Sequence, residues 1–129
     1  MSYKDKVAEN KMVAERCLVL KAYNAGVARA YYSAFQHIKD YLISKGFDYG
    51  NYLRRTNPDE KEYSHGTLQG AVTQCLMDNG KKPLDVYKLA VFNNMYKKRR
   101  KADYEDKNIV EVELKDSLNE LNTVMSVVA

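Results

Sequence analysis

The chain has 129 residues, of which 45% are hydrophobic, with only two prolines and six glycines, enough for one ordered domain with its own core. Lys and Arg number 21 against 17 Asp and Glu, a net charge of +4, so only a clustered excess could serve a polyanion. The opening MSYKDKVAEN is charged and lacks the apolar run of a signal peptide, and no stretch reaches membrane-spanning length. A cytoplasmic protein without membrane contact is expected. Cys17 and Cys75 lie in apolar helical contexts without metal-ligand spacing and read as reduced core thiols.

Helical periodicity dominates the chain. A first helix is expected from Ser2 to Tyr23, with Ser2 and Asp5 as a capping box and Val7, Val13, Cys17 and Leu20 as its apolar stripe. A second runs from Asn24 to Gly46, which suits a left-handed cap, and turns Val27, Tyr31, Ala34, Ile38 and Leu42 inward. Residues 46 to 64, GFDYGNYLRRTNPDEKEYS, hold Gly46, Gly50 and Pro58 among many charges and are expected to form a long loop. A third helix takes Ser64 as N-cap and closes at Gly80. Pro83 enters the first turn of a fourth, which runs on through the basic cluster. The fifth has Asn108 as cap and Glu111 three residues later, then Leu114, Leu118, Leu121, Met125 and Val128 at helical spacing. No repeat or strand alternation is present. The pattern predicts an all-α, up-and-down bundle of four to five helices in a single domain over residues 1–129.

The stretch MYKKRRKADYED, residues 95 to 106, packs five consecutive cations against Ala-Asp-Tyr. Cations complement a helix C-terminus, which explains two or three of them but not five. On a helical wheel Arg99 and Asp103 each fall within about 20° of Phe92, and they continue the stripe of Leu89, Phe92 and Tyr96. Arg100 lies about 80° away, and Lys97, Lys98 and Lys101 are expected on the outer surface. Arg99 is therefore a guanidinium on a face that should be packed, and a buried charge requires a partner. Asp103, at i+4, can supply it. Two readings stay open: a half-buried ion pair that fixes the helix end, or an arginine at a cleft edge aimed at phosphate.

In VARAYYSAFQHI, Arg29, Ser33 and His37 recur every four residues beside Tyr32, as a polar seam between helices or subunits. His65 sits at a helix start, where the positive end favours a neutral imidazole; a capping or hinge role beside Gly66 is the alternative. Nothing marks a metal centre, a Gly-rich phosphate loop or a Ser or Cys nucleophile, and no cofactor is expected.

Three of these stretches together resemble the HEPN family (higher eukaryotes and prokaryotes nucleotide-binding). ARAYYSAF at 28 to 35 is similar to its second-helix signature, YSHGTL at 63 to 68 to the His-Gly that opens its third helix, and RRKADYED at 99 to 106 to its Arg-x-x-Ala-Asp-Tyr. The resemblance spans roughly residues 5 to 127 and rests on three short motifs in the right order. It implies a helical bundle that homodimerises and handles RNA or nucleotides, in toxin–antitoxin or phage-defence systems, often beside a nucleotidyltransferase-like antitoxin. Active relatives are metal-independent ribonucleases in which an Arg binds the scissile phosphate and a His, four to six residues on, moves protons. Here Tyr104 stands at that His position, and a phenol, with a reference pKa of about 10, suits base catalysis poorly near neutral pH. The resemblance thus implies Arg29, Tyr32, Arg99, Arg100, Asp103 and Tyr104 as ligand-binding residues, with Arg99, Tyr104 and His65 as the candidates for any catalysis. A ribonuclease and a module docking an acidic protein are the alternatives to a binding domain.

Overall fold

The structure, a computed structural model, describes residues 2–60 and 64–129. Among them are seven helical segments and no strand: α1 (Tyr3–Val19), α2 (Tyr23–Ser44), α3 (Tyr49–Thr56), α4 (His65–Asp78), α5 (Pro83–Tyr87), α6 (Ala90–Tyr104) and α7 (Glu111–Val127). They pack as an all-α bundle around α2, which touches α1, α4, α6 and α7. The expected inner face of α2 is its buried face: Val27, Tyr31, Ala34, Ile38 and Leu42 are all shut away from solvent. None of the helices among the described residues is long and apolar enough to cross a membrane. Cys17 and Cys75 are buried free thiols.

Helix ends follow one device used three times. At the end of α2, Gly46 takes φ 65°, and Phe47 N–H donates to Leu42 O across the turn (3.0 Å). Gly80 does the same after α4 with φ 86°, letting Lys81 N–H donate to Leu76 O (3.0 Å). The third case is Lys21, at φ 59°, with Ala22 N–H donating to Cys17 O (2.8 Å). A left-handed lysine carries a steric cost that glycine avoids, so no glycine marks this break. The first helix therefore stops at Val19 rather than Tyr23, and Leu20 of its expected apolar stripe is exposed. Its start is as expected: Ser2 Oγ accepts from Asp5 N–H (3.2 Å), and Asp5 Oδ2 accepts from Ser2 N–H (3.1 Å).

Three further expectations are corrected. The stretch 46 to 64 is not all loop: Asp48 Oδ1 accepts from Asn51 N–H (2.9 Å) and caps α3, which buries Leu53. Tyr49 of α3 hydrogen-bonds Thr67, and Tyr52 lies over Gly70 of α4, where a Cβ would meet the phenol oxygen at 2.2 Å. Residues 61 to 63, including Tyr63 of YSHGTL, lie outside the described residues. The expected fourth helix is two helices. Between α5 and α6, Leu89 N–H donates to Val86 O (3.0 Å) and Phe92 N–H to Leu89 O (2.9 Å), a tight i to i−3 turn that drives Leu89 into the core. Finally, Asn108 is not the cap of the last helix. Val110 holds that position, its N–H accepted by Glu113 Oε1 (3.1 Å), while Asn108 Oδ1 accepts from Asn24 Nδ2 (3.2 Å).

The stripe of Arg29, Ser33 and His37 is a seam within the chain. Ser33 Oγ donates to Val7 O (2.8 Å), Arg29 Nη1 donates to Asn10 Oδ1 (3.2 Å), and the His37 ring meets Val128 O. These pairs set α1 antiparallel to α2 and tie the C-terminal residues to α2. At the far end of α2 the helices come closest over Gly26. A Cβ there would stand 2.6 Å from Leu114 Cδ2 and 3.0 Å from Cys17 Cβ, so the fully buried Leu114 side chain would have to shift. Gly26→Ala should therefore lower stability by about 1–3 kcal/mol, read as a fall in the urea midpoint. An unchanged midpoint would refute the close approach.

Candidate functional site

Tyr31 is the centre of an aromatic cluster that joins α2, α4 and α6. It is only 2% exposed, stacks on Phe92 (centroids 5.3 Å apart, planes 7° apart) and meets Tyr32 edge-on at 5.6 Å. A buried phenol needs a partner for its hydroxyl. Here the oxygen lies 3.0 Å from His65 Nδ1. Burial drives the Tyr31 phenol well above the ordinary tyrosine range, against the opposing pull of the Arg99 cation, and it stays protonated.

His65 lies flat on Tyr96 (4.0 Å, 10°) and 4.6 Å from Phe92. Ser64, not His65, caps α4: its Oγ accepts from Thr67 N–H (3.3 Å). Desolvation lowers the imidazole pKa, outweighing the Asn93 and Gln69 side chains that oppose it, so the ring is neutral near pH 7. Its other nitrogen, Nε2, is buried and makes no hydrogen bond of full geometry, though the Asn93 and Gln69 side chains approach the ring closely enough to oppose the shift. The ring is thus a packed aromatic wedge, and the cap is Ser64. Its shift comes from burial, where the sequence pointed to the helix end.

Arg99 covers this cluster. Its guanidinium carbon is 5.3 Å from the Tyr32 ring, 5.8 Å from Tyr31 and 6.0 Å from Tyr104, a cage of three phenols. The side chain is 20% exposed, so the wheel placed it correctly on the inner face. The expected partner is present: Nε lies 3.2 Å from Asp103 Oδ2. That approach lacks hydrogen-bond geometry, and Nε is buried without a hydrogen bond. Arg100 points outward, donates from Nη1 to the Tyr96 hydroxyl (3.3 Å), and lies 5.2 Å from the Tyr104 ring. Tyr104, 67% exposed, is thereby held between two guanidinium groups.

The lysines depart from expectation. Lys98 and Lys101 do not lie on the outer surface; they face α7, where Lys98 pairs with Glu120 and Lys101 Nζ sits 3.0 Å from Glu113 Oε2. Burial pushes the Glu113 carboxyl up, but the Val110 N–H and Lys101 outweigh it and hold the group below its usual range. Both pairs are largely withdrawn from solvent. The two contacts also run in opposite senses along the chain, which makes α6 and α7 antiparallel. Of the five cations, Lys98, Arg99 and Lys101 are in ion pairs; Lys97 and Arg100 are exposed.

The cage brings together Tyr32, His65, Arg99, Arg100, Asp103 and Tyr104 from three separated stretches of sequence. Arg29 is not among the cage contacts: it is exposed on α2, about 60° around the helix from Tyr32, and bonded to Asn10. Tyr31, Phe92 and Tyr96, which build the floor, read in the sequence only as members of apolar stripes. Among the described residues no group of three or more His, Cys, Asp or Glu is placed to hold a metal ion.

The half-buried neutral His65 carries a pH consequence. Its folded pKa is depressed, so the unfolded chain binds a proton that the folded chain refuses. Stability is full above about pH 6.5 and falls as pH drops below it, by up to about 1.4 kcal/mol per pH unit. In His65→Asn the loss between pH 7.5 and 5.5 should shrink, measured as the difference in urea midpoints. Equal losses in both proteins would show that His65 titrates as it does in the unfolded chain.

No model of a known protein family and no curated protein matches the chain, so its function has to be read from these residues.

Proposed function

We propose that this chain is a HEPN-like, up-and-down helical domain that binds RNA or a nucleotide at the Arg99 cage. The observation that carries the reading is convergence. ARAYYSAF supplies Tyr31 and Tyr32, SHGTL supplies His65, and RRKADYED supplies Arg99, Arg100, Asp103 and Tyr104, and all meet in one cluster. Such a cluster has the two things a nucleotide needs. Guanidinium groups offer planar, charge-assisted donors to phosphate. The exposed ring of Tyr104 and the part-exposed ring of Tyr32 offer faces on which a base stacks. Homodimerisation, a nucleotidyltransferase-like antitoxin as partner, and a place in a prokaryotic toxin–antitoxin or defence system belong to the same proposal, on the strength of the resemblance alone.

The ribonuclease alternative is less well supported. His65 Nε2 is sealed from solvent and Nδ1 is engaged by Tyr31, so proton transfer would fall to the Tyr104 phenol. Docking of an acidic protein uses the same cations but leaves the stacking rings without a role.

The ion pairs on α7 set a number for the test. A field of five free cations on single-stranded RNA would give a salt slope of about −3.5, whereas Arg99, Arg100 and Lys97 give about −2. Labelled single-stranded RNA, titrated in EDTA at several salt concentrations, should follow the smaller slope. Arg99→Ala should weaken binding by about tenfold or more and flatten the slope by about 0.7. Lys101→Met should alter the melting temperature and leave affinity nearly unchanged. Absence of binding, or affinity indifferent to Arg99→Ala, would sink the proposal and turn the search to a protein partner. Cleavage that disappears in Tyr104→Phe would establish the enzyme instead.

A further inference from the structure

We infer that Asp103 occupies, in the free protein, the place on Arg99 that the ligand's phosphate takes, and so filters out simple anions. This rests on the reading of the Arg99 cage as a nucleotide or RNA site. Three features of Asp103 carry it, none of them needed by that reading.

Its hold on Arg99 is incomplete. The carboxylate approaches Nε to 3.2 Å, yet the geometry is not that of a hydrogen bond, and the terminal guanidinium nitrogens carry no hydrogen bond among the described residues. A structural arginine–carboxylate lock is usually bidentate, with two parallel N–H···O bonds. This one is a loose coulombic contact that can be exchanged.

Its position on the helix is unfavourable. Asp103 is the penultimate residue of α6, in the last turn, where the negative end of the helix dipole repels a carboxylate. Apart from Arg99 it has no ion-pair partner among the described residues. A carboxylate placed against the dipole and held by a single loose contact gives up that contact readily.

Its place is at the mouth. The Asp103 side chain is 38% exposed and Arg99 20%, so the carboxylate is the more accessible member of the pair. The rings of Tyr32 and Tyr104 flank the same guanidinium. An anion with no aromatic part gains only what Asp103 already supplies. A ligand that brings phosphate and base together adds stacking, and displaces the carboxylate. Asp103 is in this sense a specificity-determining residue.

The test uses the full chain, with inorganic phosphate and a labelled single-stranded RNA as probes, and compares wild type with Asp103→Asn, Asp106→Asn and Arg99→Ala. Asp106 is exposed and lies just beyond α6, which makes it the control for a general loss of negative charge. Asp103→Asn should tighten RNA binding about three- to fivefold and bring phosphate binding into a measurable range, while Asp106→Asn changes either by less than about 1.5-fold. Circular dichroism melts establish that each variant is folded. Weaker binding in Asp103→Asn, or a gain no larger than in Asp106→Asn, overturns the inference; if Arg99→Ala still weakens RNA binding, the cage stands and Asp103 merely positions the arginine. RNA binding indifferent to Arg99→Ala overturns the site and this inference together.

Discussion

The hydrogen bond between the Tyr31 hydroxyl and His65 Nδ1 holds the centre of the molecule together. A phenol that is 2% exposed has no water to bond, and an unmet buried polar group is penalised by roughly 1–3 kcal/mol. Satisfying it requires α4 to present His65 at one rotational setting against α2. That setting lays the imidazole on Tyr96 and beside Phe92, which fixes α6 in turn. Three helices are therefore registered through one contact, and Arg99 rides on the third. The contact is not complete, because His65 Nε2 stays buried and unbonded.

The run of five cations is sorted by helix geometry into three directions. Lys98 and Lys101 are one turn apart and both reach α7, where Glu120 and Glu113 pair with them at partly buried positions. Arg99, about 100° round from Lys98, turns towards α2 and the tyrosines. Lys97 and Arg100 remain outside. What looks in the sequence like one basic patch is thus divided: two lysines clamp α6 to α7, one arginine lies among the tyrosines, and two cations stay exposed. Under the proposed function the distinction bears on the mode of binding. A patch of free lysines attracts any polyanion, whereas a caged guanidinium flanked by rings favours a phosphate that has a base attached.

Much of this was legible in the sequence, for reasons that can be named. The buried face of α2 follows from a four-three-four-four spacing, and Arg99 is placed inward by the same arithmetic on α6. Glycine announced two helix ends, at Gly46 and Gly80, because only those breaks use glycine for the left-handed turn. Lys21 makes the same turn without one, so the end of α1 was hidden. The short helix α3 was masked by its charges, since it is held by the burial of Leu53 and by Tyr49 and Tyr52 docking on α4 rather than by its own propensity. Lys98 and Lys101 were misplaced for a similar reason: their partners lie 22 and 12 residues away, beyond what local periodicity reports. Arg29 was drawn towards the site by its motif, while its nearest acceptor, Asn10, belongs to a different helix.

The segment between α6 and α7 explains how the cage keeps its shape where the helix ends. After Tyr104 the chain leaves helical geometry, and a free end there would let Asp103 and Tyr104 drift. Asn24, at the start of α2, prevents this from a distance: its Oδ1 accepts from Ile109 N–H (2.8 Å) and its Nδ2 donates to Asn108 Oδ1 (3.2 Å). Ile109 is buried beside Cys17, Val27 and Leu114, so the clasp is anchored in the core rather than on the surface. Two positions in the first half of α2 thus act together: Asn24 holds the end of the linker that leads into α7, and Tyr31, two helical turns on, packs beneath Arg99. Between these points the contact of Asp103 with Arg99 is an ion pair without a hydrogen bond at Nε.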